Sequence, residues 1–420
     1  MKVVILGSGP SGLIAANYLT LQGIDFSIVS NDCSGFAKSE INGSKFYLGQ
    51  RTLFHHKSVD KMLSNLNSNY LGKELLDTIN LSDKIGVLFD GKTHCYPIQN
   101  NLSKIGIIDK LKIYGSYLFR NSKLAKSDNY ASWVKGVYGS WLADNIILPH
   151  TWKTLKEDLY TIQPSFYGKK VVPIKIFGER EPVYSYRYQE TILKLLKDNV
   201  SGNHVSKEVK IIDMVNKVIQ FSDGDKMIYD VLINSIALPK FLDYIETFGD
   251  GLISVTRDTL KYNNMMIVGL LVPTDFINTD FSIVYFPERD YTFSKAYFQE
   301  SVDGFTMVTL EISFRDTDKR INNHHYMDKV YDTVEHELKS TGLISDAFFL
   351  SYKRVNKVLS PAYIICDREY ESNNTFIQRY LEHNDIFNIG RFAMWKPWMR
   401  VEHSVDRAAE IFNQRFVEPE

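Results

Sequence analysis

Val3-Val4-Ile5-Leu6-Gly7-Ser8-Gly9-Pro10-Ser11-Gly12-Leu13 is the stretch that decides the fold. Four apolar, mostly β-branched residues predict a short buried strand. Gly7, Gly9 and Gly12 then give G-x-G-x-x-G, and an Ala- and Leu-rich helix follows to Leu21. Gly23 ends that helix, and Phe26-Ser27-Ile28-Val29 is the next strand. The glycines have separate tasks: a tight turn, close approach of the backbone to a pyrophosphate, and close packing of helix on strand. The helix start, with Pro10 and Ser11, offers free N–H groups and partial positive charge to phosphates. The unit therefore predicts a dinucleotide site. One position departs from the pattern. An acidic residue ordinarily ends the second strand and holds the adenosine ribose; here Ser30 stands there, followed by Asn31 and Asp32. This loop alone leaves NAD and FAD both open.

The rest of the chain must build on that unit. At 420 residues it is long enough for two domains, and 44% hydrophobic content supplies a core. A net charge of −1 argues against a nucleic-acid partner or an anionic membrane as the default, local patches aside. Aromatics reach 13%, which fits both core filling and a ring-lined pocket. Cys33, Cys95 and Cys366 are too few and too scattered for a disulfide framework or a zinc ribbon, so a reducing, cytoplasmic compartment is expected. No metal site is expected: His55-His56 and His324-His325 are adjacent pairs whose side chains point different ways. No run of apolar residues is long enough to span a membrane.

Along the chain, apolar residues recur at helical spacing from Lys57 to Phe119, broken by a turn at Asp90-Gly91. Asn121 to Asn129 is a polar, basic loop. Trp133 to Leu148 reads as a helix stopped by Pro149, and Val183 to Val200 as a strand end and a helix. Val218 to Phe221, a turn at Asp223-Gly224, and Val231 to Ile233 make a strand–turn–strand pattern. Met265–Val272, Phe281–Phe286 and Phe305–Ile312 are strands of an antiparallel sheet. His325–Lys339 is an amphipathic helix with Met327, Val330, Val334 and Leu338 on one face. A strand at Ile386–Ile389 and a helix from His403 to Phe416 close the chain.

Several separated segments resemble UDP-galactopyranose mutases, above all the eukaryotic type, and the wider amine-oxidase and protoporphyrinogen-oxidase-like flavoproteins. Tyr96-Pro97-Ile98-Gln99-Asn100-Asn101 is similar to that family's YPFQNN, and Asn129-Tyr130-Ala131-Ser132-Trp133 to its N-F-x-x-W. Tyr285-Phe286-Pro287-Glu288 is its YFPE; Gly390-Arg391-Phe392-Ala393-Met394-Trp395 resembles GRFGSW, and Glu402-His403-Ser404 the DHS after it. The resemblance implies an α/β fold: a Rossmann-like FAD-binding domain (residues 1–57, 187–260 and 355–420), a mainly helical insertion (58–186) and an antiparallel-sheet substrate domain (261–354). It implies FAD, reduced if the protein is a mutase, with NAD(P)H as an external reductant. Gly49, Gln50, Val209, Gly390, Arg391, Trp395, His403 and Ser404 would join Gly7, Gly9, Pro10, Ser11, Gly12 and Ser30 around the cofactor. Tyr96, Gln99, Asn129, Trp133, Tyr285, Lys295 and Tyr363 would hold a nucleotide sugar, with Lys295 at its diphosphate. In that family the reduced flavin is the nucleophile that opens the way to exchange of pyranose and furanose rings, so no side chain is assigned that role.

The departures matter as much as the matches. Two arginines grip the diphosphate in that family; their positions here are Leu148 and Lys295. Leucine donates nothing, and lysine supplies charge without a bidentate fork. Gln50 replaces a histidine near the flavin, and Pro397 a tyrosine. Three readings stay open: a mutase acting on a nucleotide sugar in polysaccharide synthesis, an oxidoreductase whose substrate carries no diphosphate, and a family member with altered catalysis. Oligomerisation is open in all three.

Overall fold

The computed structural model describes residues 1–31, 38–41, 44–47, 53–66, 77–81, 84–102, 105–164, 184–186, 189–246, 252–299, 303–318, 320, 323–345 and 353–417. Gly49 and Gln50 lie outside these residues, as does Asp32.

The first strand, Val3–Leu6, sits at the centre of a parallel sheet. Its neighbours are Phe26–Val29 and Val231–Asn234; Asn203–Val205 and Ile386–Asn388 form the edges. All four of its residues are buried, as a strand covered on both faces requires. Val3 and Ile5 pack in the apolar layer that holds Ile14 and Leu19 of the first helix (Pro10–Leu21) and Val405 and Ile411 of the last (His403–Arg415). Val4 and Leu6 face Ile219, Phe221, Leu238 and Phe241. This is the Rossmann-like sheet expected from the sequence. The turn at Asp223-Gly224 joins Val218–Phe221 to Lys226–Ile228 in a separate three-stranded sheet, and Val231–Asn234 returns to the parallel one instead of completing that hairpin.

A seven-stranded sheet follows the order Lys353–Ile364, Tyr262–Pro273, Phe305–Arg315, Lys295–Phe298, Ile283–Tyr285, Ile85–Phe89, Lys92–Cys95. It is antiparallel except where Ile283–Tyr285 runs parallel to Ile85–Phe89. Strand residues alternate between faces. Val284, Ala296, Leu310 and Ile312 pack on Met327, Val330, Val334 and Leu338 of the helix His324–Ser340, the apolar stripe read from the sequence. Tyr285, Lys295, Tyr297 and Glu311 alternate with them and so take the opposite face. Pairing aligns Tyr285 with Lys295, and Lys295 with Glu311, in one row across three strands.

Two expectations need correction. Residues 57–119 are not helical throughout: helices Lys57–Leu66 and Ile107–Leu118 flank a hairpin, Ile85–Phe89 and Lys92–Cys95, turning at Asp90 and Gly91, both with positive φ. A short continuous apolar run does not distinguish strand from helix by period, and the two-residue turn with positive φ decides for the hairpin. Pro149 does not stop its helix either. Ala143–Ile147 forms a π turn, and Leu148–Leu155 continues with Pro149 in its first turn, where the missing N–H costs no helix bond. Among the described residues no helix is long and apolar enough to cross a membrane.

That second helix is pinned by Lys153. Its Nζ, on a residue 2% exposed, donates to the carbonyls of Phe286 (2.7 Å) and Glu288 (2.8 Å), fixing the Tyr285–Glu288 turn over the helix. Burial lowers its pKa to about 7. A neutral amine still has two N–H donors for those two carbonyls. Between about pH 7 and the unfolded value near 10.4 the unfolded chain binds the extra proton, so stability rises with pH across that window. Lys153→Met is expected to remove this part of the rise, as read from urea unfolding at pH 7 and pH 9.

Candidate functional site

The phosphate-loop geometry is in place. Gly9 caps the first helix without a side-chain hydrogen bond, and the first turn carries no acidic residue. A Cβ on Gly12 would lie 2.1 Å from the Gly7 carbonyl oxygen, which forbids any other residue there. Gly390, at φ +92°, follows the carboxyl end of the edge strand and presses on the loop at the same end of the sheet; a Cβ there would meet Ser11 Oγ at 2.5 Å. Ser404 Oγ donates to Ser11 Oγ at 3.0 Å. The loop is thus built from both ends of the sequence.

At the end of the second strand Ser30 Oγ and His204 Nε2 are 2.9 Å apart. This pair takes the place of the carboxylate that ordinarily receives the ribose, and His204, on the edge strand, carries no motif that would have revealed it. Val209 begins the next strand and is half-buried beside the Val4 and Leu6 layer.

Three residues assigned to the cofactor by resemblance behave differently. Trp395 is 1% exposed in the layer with Leu238 and Phe241, its ring edge-on to Tyr262, so it is a core residue. Ser404 is 0% exposed and reaches the loop only through Ser11. His403 lies between the rings of His56 and Trp398, its Nδ1 accepting from the Arg400 N–H, and burial lowers its pKa, so it is neutral at pH 7. Arg391 is different again. It is open to solvent, yet surrounding protein pulls its pKa down while Tyr363 pushes back. Its Nε donates to the Met399 carbonyl at 2.7 Å.

Beyond Arg391 lies the row on the seven-stranded sheet. Lys295 Nζ donates to Tyr363 Oη (2.6 Å) and Glu311 Oε2 (3.1 Å); Tyr363 donates to Glu311 Oε2 and Tyr297 to Oε1, both at 2.7 Å. Tyr285 and Tyr363 set their rings 5.8 and 5.1 Å from the ammonium. Burial works against the Lys295 charge, but Glu311 and the tyrosines outweigh it and hold its pKa well above the ordinary value. Tyr96 lies 5.2 Å from Tyr285, and His150 meets that same ring edge-on at 5.1 Å. Burial, then Lys295 and Lys153, keep His150 neutral, and its buried Nδ1 has no hydrogen-bond partner.

The structure therefore brings together Tyr96, Tyr285, Lys295 and Tyr363, with Arg391 toward the loop. It does not do the same for Asn129, whose Oδ1 caps the following helix at Ser132 N (2.9 Å) while Nδ2 donates to Ser127 Oγ (3.1 Å). Trp133 stacks on Tyr130, and Gln99 sits half-buried in a short turn after Pro97. Leu148 packs on the same apolar cluster as Tyr96, Tyr285 and Tyr363 and also lines a groove with Trp152 and Arg289. Glu311 was missed. The signal was present: Thr309, Glu311 and Ser313 form a polar face in a strand that is buried on both sides. No cluster of metal-binding side chains occurs among the described residues.

The whole chain superposes on a UDP-galactopyranose mutase. That structure, of a reduced form, matches with a TM-score of 0.82 over 100% of this chain and 96% of its own, at 18% identity. A putative protoporphyrinogen oxidase from Exiguobacterium matches at 0.71 and 12% identity, covering 99% of each chain. Cyclohexylamine oxidase from Brevibacterium oxydans matches at 0.66 and 12%, again over 99% of each. At these identities the likeness is one of fold. No family model matches the sequence, and no curated protein is significantly similar to it.

Glu311→Gln would leave the Lys295 ammonium buried without its counter-charge. A loss of about 3–5 kcal/mol at pH 7 is expected. The Lys295 pKa should then fall below its unfolded value, so the variant should recover stability as pH rises toward 10, a slope that wild type lacks at this residue. Denaturant unfolding at pH 7 and pH 10 checks both.

Proposed function

We propose that this chain binds FAD along the first helix and, with the flavin reduced, isomerises a nucleotide sugar without net redox change. One observation carries the reading: a lysine kept charged in a buried, tyrosine-lined row, at the position where the resembling family places a diphosphate-gripping arginine. The close approach of Gly12 to Gly7 and the amides of the first helix turn suit two phosphates. Ser30 and His204 would receive the ribose, and Gly390 and Arg391 would border the ring system.

Bound there, reduced FAD supplies an electron-rich nitrogen as nucleophile, which accounts for the absence of any assigned nucleophilic side chain. The chain's own residues do the rest. Lys295 spends two N–H groups on Tyr363 and Glu311 and retains a third for a departing anion. Glu311, 4% exposed, acts from behind by keeping that ammonium charged. Tyr96 and Tyr285 supply ring faces and hydroxyls to hold the nucleotide, and Arg391 brings a second positive charge between loop and row. Neutral His150 adds no charge at the Tyr285 edge.

A second reading has its own support. With leucine at position 148, only one of the two family cation positions carries a charge, which suits an oxidase-type substrate without a diphosphate. The two readings separate cleanly. Dithionite-reduced protein should interconvert ring forms of at least one member of a nucleotide-sugar panel, followed by chromatography. Lys295→Met should retain flavin and lose about 10- to 100-fold in kcat/KM, the worth of one charge-assisted hydrogen bond. No turnover on the panel, together with substrate-driven flavin reduction and peroxide release, would establish the oxidase reading instead.

A further inference from the structure

The helix Ile107–Leu118 is built against the usual rule. Ile107, Ile108, Leu111, Tyr114, Leu118 and the adjoining Phe119 are all exposed, from 36% at Tyr114 to 90% at Phe119, and Ile113 is its one buried apolar residue. Ile107, Leu111, Tyr114 and Leu118 recur at steps of three and four, so they form one stripe. Gly115 lies on the same side, and a Cβ there would meet nothing within 4 Å. The inward face is narrow: Ile113 enters the core, the Ser116 hydroxyl accepts from Trp141 N, and the Ser116 carbonyl lies against Gly139. The apolar stripe therefore faces solvent by construction.

Charge frames it. At 100° per residue, Lys110 and Lys112 fall on opposite flanks of the stripe. Arg120, Lys123 and Lys126 follow in the loop that was read as basic from the sequence. Against these five stand Asp109, which pairs with Lys112 at 3.1 Å, and Asp128. Residues 106–128 thus carry +3 in a chain whose total is −1. Arg120 lies over the Tyr117 ring, 3.9 Å from its centroid. Twelve residues make a helix of about 18 Å, too short to span a bilayer. An apolar stripe flanked by lysines is the pattern of a helix lying in the plane of an anionic lipid surface, its ammonium groups rising to the headgroups. A second copy of this chain fits less well, because a twofold contact would set one +3 patch against another.

We propose that this helix and the basic loop after it seat the protein peripherally on an anionic membrane. The claim is independent of the flavin reading. The test is flotation with phosphatidylcholine vesicles, with and without 30% phosphatidylglycerol. Binding is expected only to the anionic vesicles at 50 mM salt, at least tenfold weaker at 500 mM. Leu111→Ser/Leu118→Ser and Lys123→Glu/Lys126→Glu should each weaken it at least tenfold with unchanged melting temperature, since these side chains leave the core untouched. Equal binding to neutral vesicles, or none to either, would overturn the proposal. So would a concentration-dependent dimer that the leucine variants abolish without any vesicle binding; a second copy would then be the occupant.

Discussion

The contact between Lys295 and Glu311 constrains more of this molecule than any other. A buried carboxylate is costly unless paired and hydrogen-bonded, and Glu311 is both, accepting from Lys295, Tyr297 and Tyr363. Strand pairing places the lysine and glutamate side by side, so the ion pair reports the register of the seven-stranded sheet. A slip of one residue would send Glu311 into the Met327–Leu338 layer. The pair therefore helps to fix the sheet and also holds a cation on its middle strands.

The resemblance to nucleotide-sugar mutases is strongest where backbone matters and weakest where side chains grip the substrate. Gly7, Gly12 and Gly390 keep the close approaches that a dinucleotide needs. Ser30 with His204, Leu148 and Lys295 occupy the positions where charged groups were expected. A π turn immediately precedes Leu148. The helix beyond it presents His150 to Tyr285 while Leu148 borders another groove. Local helix geometry thus accompanies the exchange of a cation for a neutral imidazole beside the row.

Much of this was legible in the residues themselves. The glycine spacing and the β-branched runs gave the parallel sheet because those signals are local. Met327, Val330, Val334 and Leu338 gave their helix because four residues at one period leave little choice. The hairpin at 85–95 was lost because a short apolar run has no period of its own. The roles of Asn129 and Trp133 rest on motif resemblance, which does not by itself tell a cap from a contact. The polar face of its strand marked Glu311 without its role, and His204 carried no signal: each acquires meaning only from a partner, 16 and 174 residues away, a separation that pairing in space removes.

The cradle for the phosphates has a further consequence, for the order of events when the protein is made. The first strand needs Val231–Asn234 beside it, and the first loop needs Gly390 against Ser11 and Ser404 behind it. A ribosome reaches His403 roughly 20 to 80 s after it starts. For that interval the earliest strand and helix have apolar faces without their partners, and the pocket does not exist. A ligand held by that loop would therefore load only after synthesis of nearly the whole polypeptide.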